Sequence, residues 1–177
     1  MSQTTPESVA LVEDFVNTLD LEDNSDAIDS LRALRAWTRR RMKIRVRTLD
    51  EDDWSEAIRV REALREVLES HGSVRLNRSV LRTLNHAGTS ARVGVRWEDD
   101  GAASFAATDA GVGGVLGPIF AAIVTAQGDG TWDRLKVCPA DDCKAAFYDH
   151  SKNRSGKWCT MRVCGNRAKT RAYRERH

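Results

Sequence analysis

The sequence predicts a mainly α protein with one small β-hairpin, divided into a helical N-terminal domain and a small C-terminal module. Three observations carry this. Through most of the first 130 positions apolar residues recur every three or four places, the period of a helix that buries one face. Only residues 91–108 switch to alternation, around the turn-forming "EDDG", which is the pattern of two strands joined by a tight connection. And all four cysteines fall within the last forty residues, too short a stretch to build a core of its own without a cross-link or a metal.

Residues 1–7 are polar and are expected to be disordered. From Ser8 to Leu21 the apolar positions Val12, Phe15, Val16 and Leu19 predict a first helix. Ser25 or Asp26 can cap a second, whose stripe is Ile28, Leu31, Leu34 and Trp37 and whose end is the basic run 39–47, "RRRMKIRVR". The acidic "DEDD" then opens a third helix with Ala57, Val60, Leu64, Val67 and Leu68 on one face. Cations at one helix end and acids at the start of the next suit the helix dipole; a nucleic-acid role is the other reading of the basic run. A short helix over 77–85, stopped near Gly88, precedes the hairpin (91–97 and 102–108). A helix over 110–126 then ends at "GDG", with Pro118 marking a kink or a late start. The N-terminal domain therefore covers 8–130 and the C-terminal module 134–177.

Composition narrows the function. Apolar residues make up 41% and charged residues 31% of the 177 positions, an ordinary soluble balance. The N-terminus lacks the basic and apolar regions of a secretory signal. The longest uncharged stretch, 110–128, holds five glycines and a proline, which suits a buried helix better than a membrane span. A cytoplasmic location and no membrane partner follow as expectations. There, paired cysteines usually mean a metal or catalysis. "GVGGVLG" at 111–117 lacks the Lys-Ser/Thr of a phosphate loop, and no nucleophile–base set stands out, so the chain does not read as an enzyme. Trp37, Trp54 and Trp97 suggest either core packing or a small-ligand enclosure, and Asn17, Arg92 and Arg96 an anionic pocket.

Cys138 and Cys143 are separated by four residues, as are Cys159 and Cys164, with fifteen between the pairs. Four thiolates satisfy a tetrahedral structural zinc, one ion per chain, whose binding would supply folding energy to a zinc-binding module this small. His150 lies between the pairs but is not needed as a ligand, and His71, His86 and His177 have no ligand spacing. Phe147, Tyr148 and Trp158 are expected to pack around the metal.

Charge is segregated. Residues 134–177 carry 12 Lys or Arg against 4 Asp or Glu, while the remainder carries 16 against 22. An acidic body with a basic end points to a polyanionic partner. Lys152, Asn153, Arg154 and Lys157 form a polar loop suited to phosphates. After Cys164 a terminal helix would set Arg167, Arg171 and Arg174 on one face and Arg162, Lys169 and Arg176 on another, with Asn166 at its start. Double-stranded DNA is the expected partner. RNA binding, and a structural zinc protein serving as a protein-interaction adaptor, are the alternatives.

The stretch "FYDHSKNRSGKWCTMRVCGNRAKTRAYRER" resembles the CGNR zinc-finger family, whose signature matches Cys164, Gly165, Asn166 and Arg167. "VEDFVNTLDLE", through Asp14, Phe15, Val16, Asn17 and Thr18, resembles the start of the ABATE domain that precedes that finger in bacterial proteins described as candidate stress-induced transcription regulators. The resemblance implies zinc on the four cysteines, DNA binding by the finger and a fused domain that senses a small-molecule effector. Ala145 departs from it, standing where the family often has Trp. A lone finger buries little surface, so a homodimer formed through the helical body is expected to double the contacts.

Overall fold

A computed structural model describes residues 4–71, 76–107 and 110–176. The body is built from five helices: α1 (Glu7–Val16), α2 (Leu31–Met42), α3 (Glu51–Glu69), α4 (Arg78–Ala91) and α5 (Gly111–Gly128). Two short antiparallel ladders decorate it, β1 (Leu19–Asp20) with β2 (Ser25–Asp26), and β3 (Gly94–Trp97) with β4 (Ala103–Ala106). The C-terminal part contains β5 (Leu135–Val137), β6 (Ala146–Tyr148), a π-turn at Met161–Gly165 and α6 (Asn166–Arg174).

The most apolar helix, α5, lies at the centre, packed by α1, α3 and α4. It alone among the described residues is long and apolar enough to cross a membrane, and here Val112, Val115, Leu116 and Ile119 bury it in the core. Phe15, Ile28, Leu34, Val60 and Leu68 complete that core from the surrounding elements. A capping box between Asp50 and Asp53 starts α3, and Asp53 also accepts a bond from the Val112 amide at 2.9 Å. One carboxylate thus serves two helix N-termini, where anions are favoured.

Several element boundaries differ from the sequence expectation, each for a local reason. α1 stops at Val16 because Asn17 caps it, and Leu19 enters a strand. α2 is capped by Ser30, whose hydroxyl accepts from the Ala33 amide; Ser25 and Asp26 pair as β2 instead. α4 runs through Gly88, since glycine inside a helix costs only about 1 kcal/mol, and ends where Arg92 turns left-handed at φ 47°. The β3–β4 strands are shorter than expected, and Thr108 lies outside the described residues. Pro118 sits inside α5 and does not end it. Of the N-terminal stretch expected to be disordered, residues 1–3 lie outside the described residues, and Pro6 and Glu7 start α1.

The body and the C-terminal part share their apolar interior. Leu135, Val137 and Ala146 belong to the same buried cluster as Phe15 and Ile119, with Tyr148 packed against it. Strand β5 lies against α3, and β6 against α1. A second, smaller cluster surrounds the cysteines and draws in Ala140, Ala145, Phe147 and Trp158. Phe147 and Trp158 therefore line the metal centre as expected, while Tyr148 turns to the body and meets His150 edge-on.

Candidate metal centre and nucleic-acid interface

The four cysteines arrive from two structural devices. Cys138 and Cys143 flank the turn that joins β5 to β6, where the Cys138 amide bonds the Ala145 carbonyl (2.8 Å), the Cys143 amide bonds the Ala140 carbonyl (3.0 Å) and Lys144 is left-handed. Cys159 just precedes the π-turn that leads into α6, and Cys164 lies within it. Thr160 caps this turn by accepting from the Val163 amide.

All four Sγ atoms lie within 4.8 Å of one another. The Cys143–Cys159 and Cys159–Cys164 separations are both 3.6 Å. Sulfurs at about 2.3 Å from a tetrahedral zinc stand about 3.8 Å apart, whereas a disulfide needs about 2.05 Å. The donor set and its spacing therefore fit one zinc ion. Burial pushes the Cys143 thiol up to about 11 and Cys159 higher still. At Cys164 burial acts in the same direction, but hydrogen bonds led by the Arg167 guanidinium outweigh it and lower that thiol. Thiols this buried need a cation to hold them together as thiolates.

The residues following Cys164 serve that centre one by one. Gly165 leaves no room for a side chain: a Cβ would stand 2.8 Å from the Met161 sulfur and 3.4 Å from the Trp158 ring. Asn166 donates from its carboxamide to the Arg162 carbonyl at 3.1 Å. Arg167 donates to the Cys164 sulfur at 3.4 Å, and pairs with Glu22 of the β1–β2 loop and with Asp142. Arg167, expected on the nucleic-acid face, is thus engaged with the metal centre and the body.

The other cationic residues expected on the nucleic-acid surface form no ion pair among the described residues. Lys152, Asn153, Arg154 and Lys157 are exposed on the loop after β6, with the Lys157 ammonium over the Trp158 ring. Arg162, Lys169, Arg171 and Arg174 are exposed on the π-turn and α6, a helix with no buried residue. His86 is exposed, and His150 is exposed beside Tyr148. His71 bonds the Leu135 carbonyl (2.7 Å), and His177 lies outside the described residues.

Three further polar residues position this surface, in roles not expected from the sequence. Asp149 is buried and accepts from Lys136 Nζ (2.7 Å) and from the amides of Ser151 and Gly156, which folds the 149–156 loop around one carboxylate. Burial opposes its ionisation, but these donors prevail and hold the carboxyl far below the usual range. Gly156 approaches so closely that a Cβ there would meet Asp149 Oδ1 at 2.5 Å. Asn17 caps α1 and uses its carboxamide like a peptide group, donating to the Ala146 carbonyl (2.9 Å) and accepting from the Ala146 amide (2.7 Å). Arg65 is buried and donates to the carbonyls of Lys144 (2.6 Å) and Val16 (2.7 Å). Asn17 is therefore committed to β6 and does not join Arg92 in an anionic pocket. Nor do the tryptophans enclose one: Trp37 packs on Phe15, Trp54 donates to the Ile28 carbonyl, and Trp97 is exposed.

Comparison with known families agrees with this architecture. Residues 10–130, most of the chain, match ABATE, described as a putative stress-induced transcription regulator. The chain belongs to the ABATE family. Residues 134–177 match the CGNR zinc finger, so the ABATE region ends just before β5 and the finger begins with the hairpin that carries Cys138 and Cys143. No curated protein matches the chain.

Proposed function

We propose that this ABATE-family chain is a zinc-dependent regulator that binds double-stranded DNA through its finger. Zinc on Cys138, Cys143, Cys159 and Cys164 would hold α6 and the 152–157 loop in place. The observation that carries the reading is α6 itself. A nine-residue helix with no buried face is marginal alone in water, yet it is cationic and anchored at its first turn. Such a helix gains its missing packing from a polyanionic groove. Lys152, Asn153, Arg154, Lys157, Arg162, Lys169, Arg171 and Arg174 are the contacts. Asn166 and Arg167 act by holding the helix start.

Residues 8–130 form the sensing and dimerising part in this reading, and 134–177 the DNA-binding part. A cavity of about 530 Å³ between α3, α4 and α5 supports an effector role. Leu84, Val93, Phe105, Phe120 and Val124 line it, and Asn85 and Gln127 supply the polar groups. That is the size and character of a small-molecule site, suited to an uncharged, largely apolar effector.

Fluorescence anisotropy with duplex DNA, single-stranded DNA and RNA at two salt concentrations tests the reading. Duplex binding should be tightest, and the double variant Lys169→Glu with Arg171→Glu should lose it while retaining one zinc per chain. Equal binding by that variant, or a preference for RNA, would overturn it; no nucleic-acid binding would leave a protein adaptor.

A further inference from the structure

A second cationic surface lies on the body, away from the finger. Arg32, Arg35 and Arg39 stand at three- and four-residue spacing on α2, and Lys43, left-handed at φ 60°, reverses the chain so that Arg45 comes back beside them. The four arginines border a concave cleft of about 530 Å³ whose floor includes Leu31 and Val46. One carboxylate, Glu51, borders the same cleft. Arg35 donates to the Leu49 carbonyl. Arg32, Arg39 and Arg45 are exposed and have no ion-pair or hydrogen-bond partner among the described residues.

Helix stability does not account for this arrangement. The dipole favours Arg39, Arg40 and Arg41 in the last turn, but it disfavours a cation in the first, where Arg32 stands and no acidic residue shares that turn. Arg32 with Arg35, and Arg35 with Arg39, are like-charge neighbours on one face, each such pair costing about 0.2–0.5 kcal/mol. Neighbouring Arg41, by contrast, is paired with Asp14 and Glu7 of α1. Arg35 is returned part of this cost by its bond to the Leu49 carbonyl, but Arg32 and Arg45 have no such return, which marks a surface kept for a ligand, and several guanidinium groups around one cleft match phosphate oxygens.

We infer that the α2 cleft binds the phosphodiester backbone of the same DNA duplex that the finger engages, an inference that rests on the DNA-binding reading above. Chain connectivity permits it. Glu22 touches Arg167 at the start of α6, and Arg32 follows Glu22 by ten residues. Ten residues span at most about 36 Å, so the cleft and the start of α6 lie within about one turn of duplex. The cleft adds phosphate contacts without base readout, and so raises affinity and fixes how the body lies on the duplex.

The test is the salt dependence of binding to a 30-base-pair duplex by the full zinc-loaded chain. In the triple variant Arg32→Ala, Arg39→Ala and Arg45→Ala, the log–log slope should shrink by about 2–3, since each lost phosphate contact removes about 0.9. Zinc content should stay at one per chain, and the melting temperature should hold or rise, because alanine favours helix and the repulsion is gone. The corresponding triple Lys variant should keep the slope. If wild type binds and the Ala variant keeps its slope, the cleft is not a phosphate site and finger-mediated binding stands alone. If wild type does not bind the duplex even at low salt, both readings fall.

Discussion

Replacing Asn17 by alanine should partly detach the finger from the body. Asn17 is the last-turn cap of α1, and its carboxamide makes both available bonds to Ala146. Ala146 is only 3% exposed, so water cannot easily replace the lost partner. Two neutral hydrogen bonds contribute about 1 kcal/mol each, and each buried group left unpaired costs about 1–3 kcal/mol. With partial relaxation the sum is about 3 kcal/mol. For a chain of this size, 1 kcal/mol moves the melting temperature by roughly 2–4 °C, so a fall of about 6–12 °C is expected. Calorimetry on the zinc-loaded protein reads it directly. Zinc release to a chelator should also quicken, because β6 carries the turn that presents Cys138 and Cys143. Asn17→Asp keeps an acceptor for the Ala146 amide but sets a second oxygen against its carbonyl, so most of the loss should persist. A shift below about 1 °C in Asn17→Ala would refute the argument that this carboxamide joins the two parts.

Other outcomes follow from the same geometry. Arg167→Ala should weaken zinc retention about tenfold, as loss of an outer partner of a metal ligand usually does, with Arg167→Lys recovering part of it; competition with a chromogenic chelator checks this. The Asp149 carboxyl is depressed in the folded protein, so its stabilisation is present above about pH 4 and fades as pH falls below that value. Asp149→Asn should therefore cost about 3 kcal/mol at pH 7, with the difference from wild type closing in acid, as urea unfolding across pH would show. Glu13 behaves oppositely: burial, then neighbouring Asp14, raises it to about 7, and Glu13 Oε2 has no partner. A raised carboxyl costs stability as pH climbs from about 4.5 towards 7. Glu13→Gln should therefore stabilise the protein at pH 8 by about 1–2 kcal/mol, after allowance for solvent screening, and leave it unchanged at pH 4.

The helices and the metal centre were legible because each is written locally. Apolar spacing marks α1, α2 and α3, an unbroken uncharged stretch marks α5, and paired thiols mark a site wherever the chain folds. The junction was not, because its partners are remote: Asn17 and Ala146 are 129 positions apart, and Arg65 and Lys144 are 79 apart. Nothing in "DFVNT" distinguishes a carboxamide that caps a helix from one that completes a strand edge. Segregated charge suggested a separable finger, yet alternate residues of β5 and β6, Leu135, Val137, Ala146 and Tyr148, join the body's core. Two features did leave a trace. Cys164 and Arg167 at three-residue spacing on a helix place a guanidinium beside a sulfur, and Asp149 two residues before Ser151 is an Asx-turn pattern. The first was hidden by reading Arg167 as a nucleic-acid contact, the second by reading the 152–157 loop for its cations alone.

The most direct test of the account is duplex affinity as a function of zinc occupancy, with zinc removed by a chelator and returned stepwise. The account predicts that binding rises in proportion to zinc, saturates at one ion per chain and is lost in the metal-free protein. Metal-free protein that binds duplex DNA with undiminished affinity and an unchanged salt slope would contradict it.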